Sequence, residues 1–325
     1  MDELAEYTET DTRVTLSDDE RDALIGLATE LVQYPPALLD DNKWLDAAVD
    51  RASELPLRIR RALRRFQLDP GPDGLLLLSN LGVEEHLLPP TPCRPMSAER
   101  EATVPSAIQL MVALSLGEVI AYRNEKDGAL VQNVVPLPGQ EREQSNAGSK
   151  YMEMHVENAF HRYRPNYVLL QCLRNDHDDN AELLTSSLRR AFVRLSLPAR
   201  EVLRQERFIT DPPPSFGAGE GVQHAVFSGP NEDPDLLVDF NATRPLDDGA
   251  VAAMTELKTV MAAGATGTRL RSGDLAIVDN RLVAHGRSDF VPRYDGRDRW
   301  LMRSFVHLDG RRSLGARIED SRVIA

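Results

Sequence analysis

Long apolar runs, cysteine and surplus positive charge are all scarce in this chain, and each scarcity closes off a class of protein. No stretch approaches the roughly 18 consecutive apolar residues of a membrane span. The acidic start MDELAEYTETD lacks the basic and apolar regions of a secretion signal, so a cytoplasmic protein is expected. The only two cysteines, Cys93 and Cys172, stand in neither CxxC nor zinc-ligand spacing. In a reducing compartment both read as packed thiols, without a disulfide. Lys and Arg number 38 against 51 Asp and Glu, a net charge of −13 with the two signs interspersed. That balance argues against a nucleic-acid or anionic-membrane surface and leaves small polar molecules as partners.

What is present is the composition of a folded enzyme-sized chain. Hydrophobic residues at 42% and charged residues at 27% exclude disorder and fibrous repeats. The 325 residues suffice for one large domain, which is preferred to two small ones.

Residues 17 to 33 read as a helix, because Ser17 with Glu20 makes a capping box and Leu24, Leu27, Ala28 and Leu31 recur at helical spacing. Further helices are expected from about 43 to 65 and from about 97 to 116, the latter capped by SAERE. Between them GLLLLSNL, residues 74 to 81, reads as a buried strand. The first 116 residues are thus mostly helical.

From residue 117 to about 310 the pattern changes to short strand-like runs, including ALVQNVVPL, KYMEMHVE, NYVLLQCLR, LLVDF, LVAH and RWLMRSFVHL. Amphipathic segments interrupt them at about 187 to 205 and 247 to 263. Many strands after a helical start imply a mainly β sandwich or jelly roll with helices packed outside. TDPPPSFGAGEG, residues 210 to 221, reads as an exposed loop of a length used for lids, with an inert surface loop as the plainer alternative.

A non-haem iron oxygenase needs two neutral imidazoles and one carboxylate on one face of the metal. Residues i and i+2 of a strand point to the same side, so His155 and Glu157 in YMEMHVEN converge. The pair alone is weak evidence, since 51 acids in 325 residues place one two positions after about one histidine in six by chance. His177 with Asp179 repeats the spacing, but in RNDHDDN, a polar turn read as a solvated loop. His307 with Asp309 repeats it near the end of the last strong strand.

His285, which closes the strand, turn and strand unit LRSGDLAIVDNRLVAH, is the candidate third ligand, and a satisfied surface histidine is its equal alternative. His86 and His161 read as surface or hydrogen-bonding histidines, and His224 as a strand or lid residue. In RWLMRSF, Arg299 and Arg303 are four apart on one side of an otherwise apolar strand. Two guanidiniums there call for anions, either bound carboxylates or structural partners such as Asp295 or Asp298.

HVENAFHRYRPNYVLLQCLR, taken with GDLAIVDNRLVAHGRSDFVPRYDGRDRWLMRSF, resembles the clavaminate synthase-like iron(II)/2-oxoglutarate oxygenases, over about residues 100 to 310. The similarity is greatest to the branch that oxygenates asparagine, with the arginine and lysine hydroxylases of peptide-antibiotic pathways a step further away. The resemblance implies a distorted double-stranded β-helix that uses Fe(II), 2-oxoglutarate and O2, with iron ligands on His155, Glu157 and His285. It implies further that Arg299 binds the distal carboxylate of 2-oxoglutarate and that Thr185 adds a hydrogen bond. Arg303 would hold the carboxylate of an amino-acid substrate, Glu125 its α-ammonium, and Asn146 and Asp239 its polar side chain.

By the same resemblance, hydroxylation falls on the β-carbon and asparagine is the preferred substrate. Lysine and arginine remain alternatives, although Leu237 stands where the arginine hydroxylases carry a second acid. Glu157 argues against a halogenase, which needs a small residue there. Desaturation and cyclisation share the same first hydrogen abstraction. A non-catalytic metal-binding jelly roll would have little use for Arg299 and Arg303 together.

Overall fold

A computed structural model describes residues 12–217, 221–319 and 321–325. Helix α1 (Asp18–Gln33) starts at the expected capping box, in which Ser17 Oγ accepts from the Glu20 amide at 3.3 Å and the Glu20 carboxylate accepts from the Ser17 amide at 3.0 Å. The segment expected as one helix from 43 to 65 is two, α2 (Asn42–Ala52) and α3 (Leu57–Leu68). Pro56 divides them, because proline steers the residue before it out of the helical region. The third helix, α4 (Val104–Leu116), starts later than expected. Ala98 and Glu99 instead pair with Gln132 and Val131 as a strand, and the cap is Thr103 with Ser106 rather than SAERE.

The strands form two principal sheets. In the larger, Leu75–Ser79, Leu275–Asp279, Tyr167–Arg174, Trp300–His307 and Glu118–Tyr122 lie side by side in that order. The smaller has Thr266–Arg269, Glu182–Ser187, Val283–Arg287 and Met152–His155. Alternation along the strands sorts their side chains. Val168, Leu170, Cys172, Leu301 and Phe305 of the larger sheet join Leu183 and Val283 of the smaller in one apolar cluster. The opposite face of the larger sheet, with Leu169, Met302 and Val306, packs on α1 to α4 through Leu24, Ile59 and Leu110.

The two amphipathic segments are α5 (Leu188–Phe192) with α6 (Leu197–Leu203), and α7 (Asp248–Ala263). Ser196 restarts the chain as the N-cap of α6, its hydroxyl accepting from the Ala199 amide. These helices cover Met154, Val156, Leu236 and Val238.

The strand-rich part does not end near 310, because Val323 and Ile324 pair in parallel with Ala121 and Tyr122. Among the described residues no helix is long and apolar enough to cross a membrane. Both cysteines are free, but only Cys172 is packed, its thiol pushed up to about 12 by burial. Cys93 is exposed, contrary to expectation.

Candidate active site

The strand that carries His155 ends at that residue, so Glu157 lies just beyond it rather than inside it as expected. The chain stays extended because its backbone finds other partners: the Val156 amide donates to the Val238 carbonyl at 2.8 Å, and the Glu157 amide to Asn280 Oδ1 at 2.7 Å. Asn280 Nδ2 returns bonds to the carbonyls of Glu157, at 3.1 Å, and Pro165, at 2.9 Å. This buried side chain therefore replaces the missing ladder and aims Glu157 inward.

His285 lies directly across from His155 in the antiparallel pair, with ring centroids 4.6 Å apart. Gly286 permits this approach, since a Cβ there would sit 2.5 Å from the Met152 carbonyl oxygen. His285 Nε2 is 3.7 Å from Glu157 Oε2, and one ligand atom from each of His155, Glu157 and His285 falls within 4.8 Å of the others. His155 Nδ1 meets the Glu153 carbonyl at 3.0 Å, which as a donated bond fixes the tautomer with Nε2 free to ligate.

The electrostatics suit a cation. Burial pushes the Glu157 carboxyl up, but Arg303, His285 and His155 outweigh it and hold it down at about 2. Burial also pushes the His285 imidazole below the ordinary histidine range, despite Glu157 beside it. Two imidazoles and a carboxylate are the donor set that fits iron(II), so these three residues could hold it.

Arg303 binds this trio to a second group of residues. Its Nη1 donates to both Glu157 oxygens, at 3.1 and 3.0 Å, and to Asn146 Oδ1 at 3.3 Å. Nη2 donates to Glu125 and, at 2.6 Å, to Gln132 Oε1. Burial and the nearby Glu157 drive Glu125 above the usual carboxylate range against the pull of Arg303, so two acids share one guanidinium. Four expected residues, Glu125, Asn146, Glu157 and Arg303, thus meet at one place.

Asp239 approaches from the other side, bridging backbone to backbone with His155. Its Oδ1 accepts from the amides of Asn241, at 2.8 Å, and Ala242, at 3.0 Å. Leu237 turns to the apolar cluster under the helices. Thr185 is buried and lies across from His285 on the neighbouring strand.

Arg299 just precedes the Trp300–His307 strand, where the register is irregular, and is also buried. The structural alternative for it is not realised: Asp295 and Asp298 surround His177, and among the described residues Arg299 makes no ion pair. A buried guanidinium in that condition fits a bound anion.

The other histidines do not join the site's ligands. His177 is not solvated as expected, but lies mostly buried with Nε2 3.0 Å from Asp295. His307 is buried beneath the carbonyls of Tyr163 and Arg164. His86 is exposed beside Glu84, and His224 meets Thr210 Oγ1 at 2.8 Å. His161 packs against Tyr122 and Phe216. Phe216 belongs to the expected lid, of which residues 218–220 lie outside the described residues.

Sequence reasoning missed Asn280, Gln132 and Arg287. Arg287 was legible in one respect, because it follows His285 by two and so shares its face of the strand.

The chain is 44% identical over 313 residues to an L-asparagine oxygenase of Streptomyces coelicolor, covering 96% of this chain and 94% of the relative. It is 33% identical over 309 residues to clavaminate synthase 2 of Streptomyces clavuligerus, covering 93% and 94%. A crystal structure of asparagine oxygenase in complex with Fe(II), 2S,3S-3-hydroxyasparagine and succinate superposes with a TM-score of 0.94 at 43% identity, covering 96% of this chain and 99% of that one. The model of the family described as taurine catabolism dioxygenase TauD, TfdA family matches residues 108–305, a span that holds both histidines, Glu157 and both arginines. The chain belongs to the TauD/TfdA family of dioxygenases.

Proposed function

We propose that this protein is an iron(II)- and 2-oxoglutarate-dependent hydroxylase of a polar L-amino acid, asparagine first, acting at the β-carbon. The observation that carries the reading is the meeting of His155, Glu157 and His285 with Arg303, Glu125 and Asn146 in one cluster, with Glu157, His285 and Arg303 buried at its centre. The likeness to an L-asparagine oxygenase supports the same substrate. The two sheets are read as a distorted double-stranded β-helix within one domain of a cytoplasmic enzyme.

When bound, iron(II) with 2-oxoglutarate and O2 supplies the oxidising power for C–H hydroxylation, the cosubstrate leaving as succinate and CO2. His155, Glu157 and His285 are the proposed iron ligands. Arg299 takes the distal carboxylate of 2-oxoglutarate, with Thr185 adding a hydrogen bond.

Arg303, whose Nη atoms hold Glu157, Asn146, Glu125 and Gln132 and whose Nε has no partner among the described residues, holds the substrate carboxylate, and Glu125 accepts from the α-ammonium. Asn146 and Asp239 hold the side-chain amide. Gripping the amino acid at both ends fixes which carbon faces the metal, and that positioning is the protein's contribution to selectivity.

Lysine is the second reading, because one carboxylate at Asp239 also pairs with an ammonium. Arginine is disfavoured by Leu237, which cannot accept from a guanidinium.

The test is a screen of free L-amino acids with Fe(II), 2-oxoglutarate and O2, following succinate and a product mass gain of one oxygen. Turnover of Asn without Lys or Arg is expected. The reverse pattern overturns the substrate, and succinate release unresponsive to every amino acid overturns the class.

A further inference from the structure

Four arginines are buried among the described residues. Arg174 meets Glu85, and Arg303 meets Glu125 and Glu157, whereas Arg287 and Arg299 make no ion pair with any described residue. Arg287 Nη2 donates to the Lys150 carbonyl at 3.0 Å, and the Nε atoms of Arg287 and Arg299 have no partner.

The two guanidiniums approach one aromatic ring, their central carbons 5.4 Å and 5.8 Å from the Phe290 centroid. Like charges brought to one ring repel one another, and neither has an acid against it to offset the cost. Asp176 is the acid whose field reaches Arg299, but its oxygens are committed to the amides of Asp178, Asn180 and Ala181.

Two buried cations beside one ring are unfavourable unless an anion lies with them. Arg287 is placed to meet it. Val283, His285 and Arg287 share one face of their strand, and Val283 belongs to the cluster between the sheets, so Arg287 issues from the inner face that carries His285.

We propose that Arg287 is a second cation of the cosubstrate site, acting with Arg299 on the distal carboxylate of a 2-oxo diacid and so selecting 2-oxoglutarate over 2-oxo monocarboxylates. The inference rests on the assignment of Arg299 to that carboxylate. A guanidinium pair around one carboxylate offers more charge-assisted donors than the carboxylate can accept from a single arginine. Phe290 holds the two at their separation.

The experiment is calorimetric titration of the anaerobic Fe(II)-loaded protein with 2-oxoglutarate and, separately, with 2-oxovalerate, which has the same chain length without the distal carboxylate. Variants R287Q, R287K and R299Q are compared with the parent, and each is first checked for an unchanged melting transition. R287Q is expected to bind 2-oxoglutarate about 10-fold to 100-fold more weakly while 2-oxovalerate binding stays level, and R287K is expected to fall between. The KM for the amino acid should not move in R287Q.

Unchanged 2-oxoglutarate affinity in R287Q, or an equal loss for both 2-oxo acids, overturns the role of Arg287. If R299Q keeps full affinity for 2-oxoglutarate, the assignment of Arg299 fails instead, so the two failures are distinguishable.

Discussion

Replacing Asn280 with Leu removes a buried clamp while nearly preserving its volume. The side chain makes three hydrogen bonds, from the Glu157 amide and to the carbonyls of Glu157 and Pro165. Three net bonds amount to about 3 kcal/mol, rising to about 5 kcal/mol if no water reaches the orphaned groups. In a chain of this size the melting temperature should fall by about 4 to 7 °C. The same clamp orients a metal ligand, so affinity for Fe(II), or for Mn(II) as a redox-inert probe, should weaken about 10-fold to 100-fold.

Asn280→Asp separates the two effects. It keeps the acceptor for the Glu157 amide but sets a carboxylate oxygen against two carbonyls, a position that favours the protonated form. With its folded pKa raised, the variant should be most stable at low pH and lose stability as pH rises through that pKa. Thermal melts from pH 5 to 8 and metal titration calorimetry check both expectations. A loss under about 1 kcal/mol in Asn280→Leu with unchanged metal affinity would refute the clamp.

Arg303→Lys keeps a charge but loses the fork that spans Glu125, Glu157 and Asn146. It should raise the amino-acid KM by about 100-fold, or about 2.7 kcal/mol, while leaving the 2-oxoglutarate KM nearly level, as steady-state kinetics with each substrate varied will show. Gly286→Ala would press a methyl group into the Met152 carbonyl and part the two histidine strands. Metal titration should show at least about a 10-fold loss of affinity for a variant that still folds. Burial, then His307, pushes His161 down to about 4. A histidine with a lowered folded pKa favours the fold when neutral, so stability is fully present above about 6.5 and is lost as pH falls through 4. His161→Phe should flatten that part of the melting-temperature profile.

The two halves of the site differed in how far they could be read from sequence. His155 and Glu157 are local, and the period of an extended chain brings them together even though the strand stops between them. Arg303 stood out because a guanidinium among Leu301, Met302 and Phe305 demands an explanation.

Asn280 could not be found this way, because it reaches Glu157 across 123 positions and only the register of the folded strands brings them into contact. Gln132 is an unremarkable polar residue until the Val131–Val134 strand lies beside Trp300–His307. Helix boundaries failed for a related reason. Ala98 and Glu99 satisfy a helical cap locally, but a strand partner more than thirty residues away claims them. The tail at Val323 and Ile324 is likewise too short to read as a strand until the sheet edge beside Ala121 receives it.

The central claim is that His155, Glu157 and His285 form one iron centre that also receives 2-oxoglutarate. Anaerobic addition of Fe(II) and 2-oxoglutarate to the purified protein, followed by visible absorption spectroscopy, tests it directly. A charge-transfer band should appear, shift when L-asparagine is added, and be absent from folded His155→Ala and His285→Ala variants. A folded parent protein without the band, or a His285→Ala variant that retains it at full strength, would contradict the account.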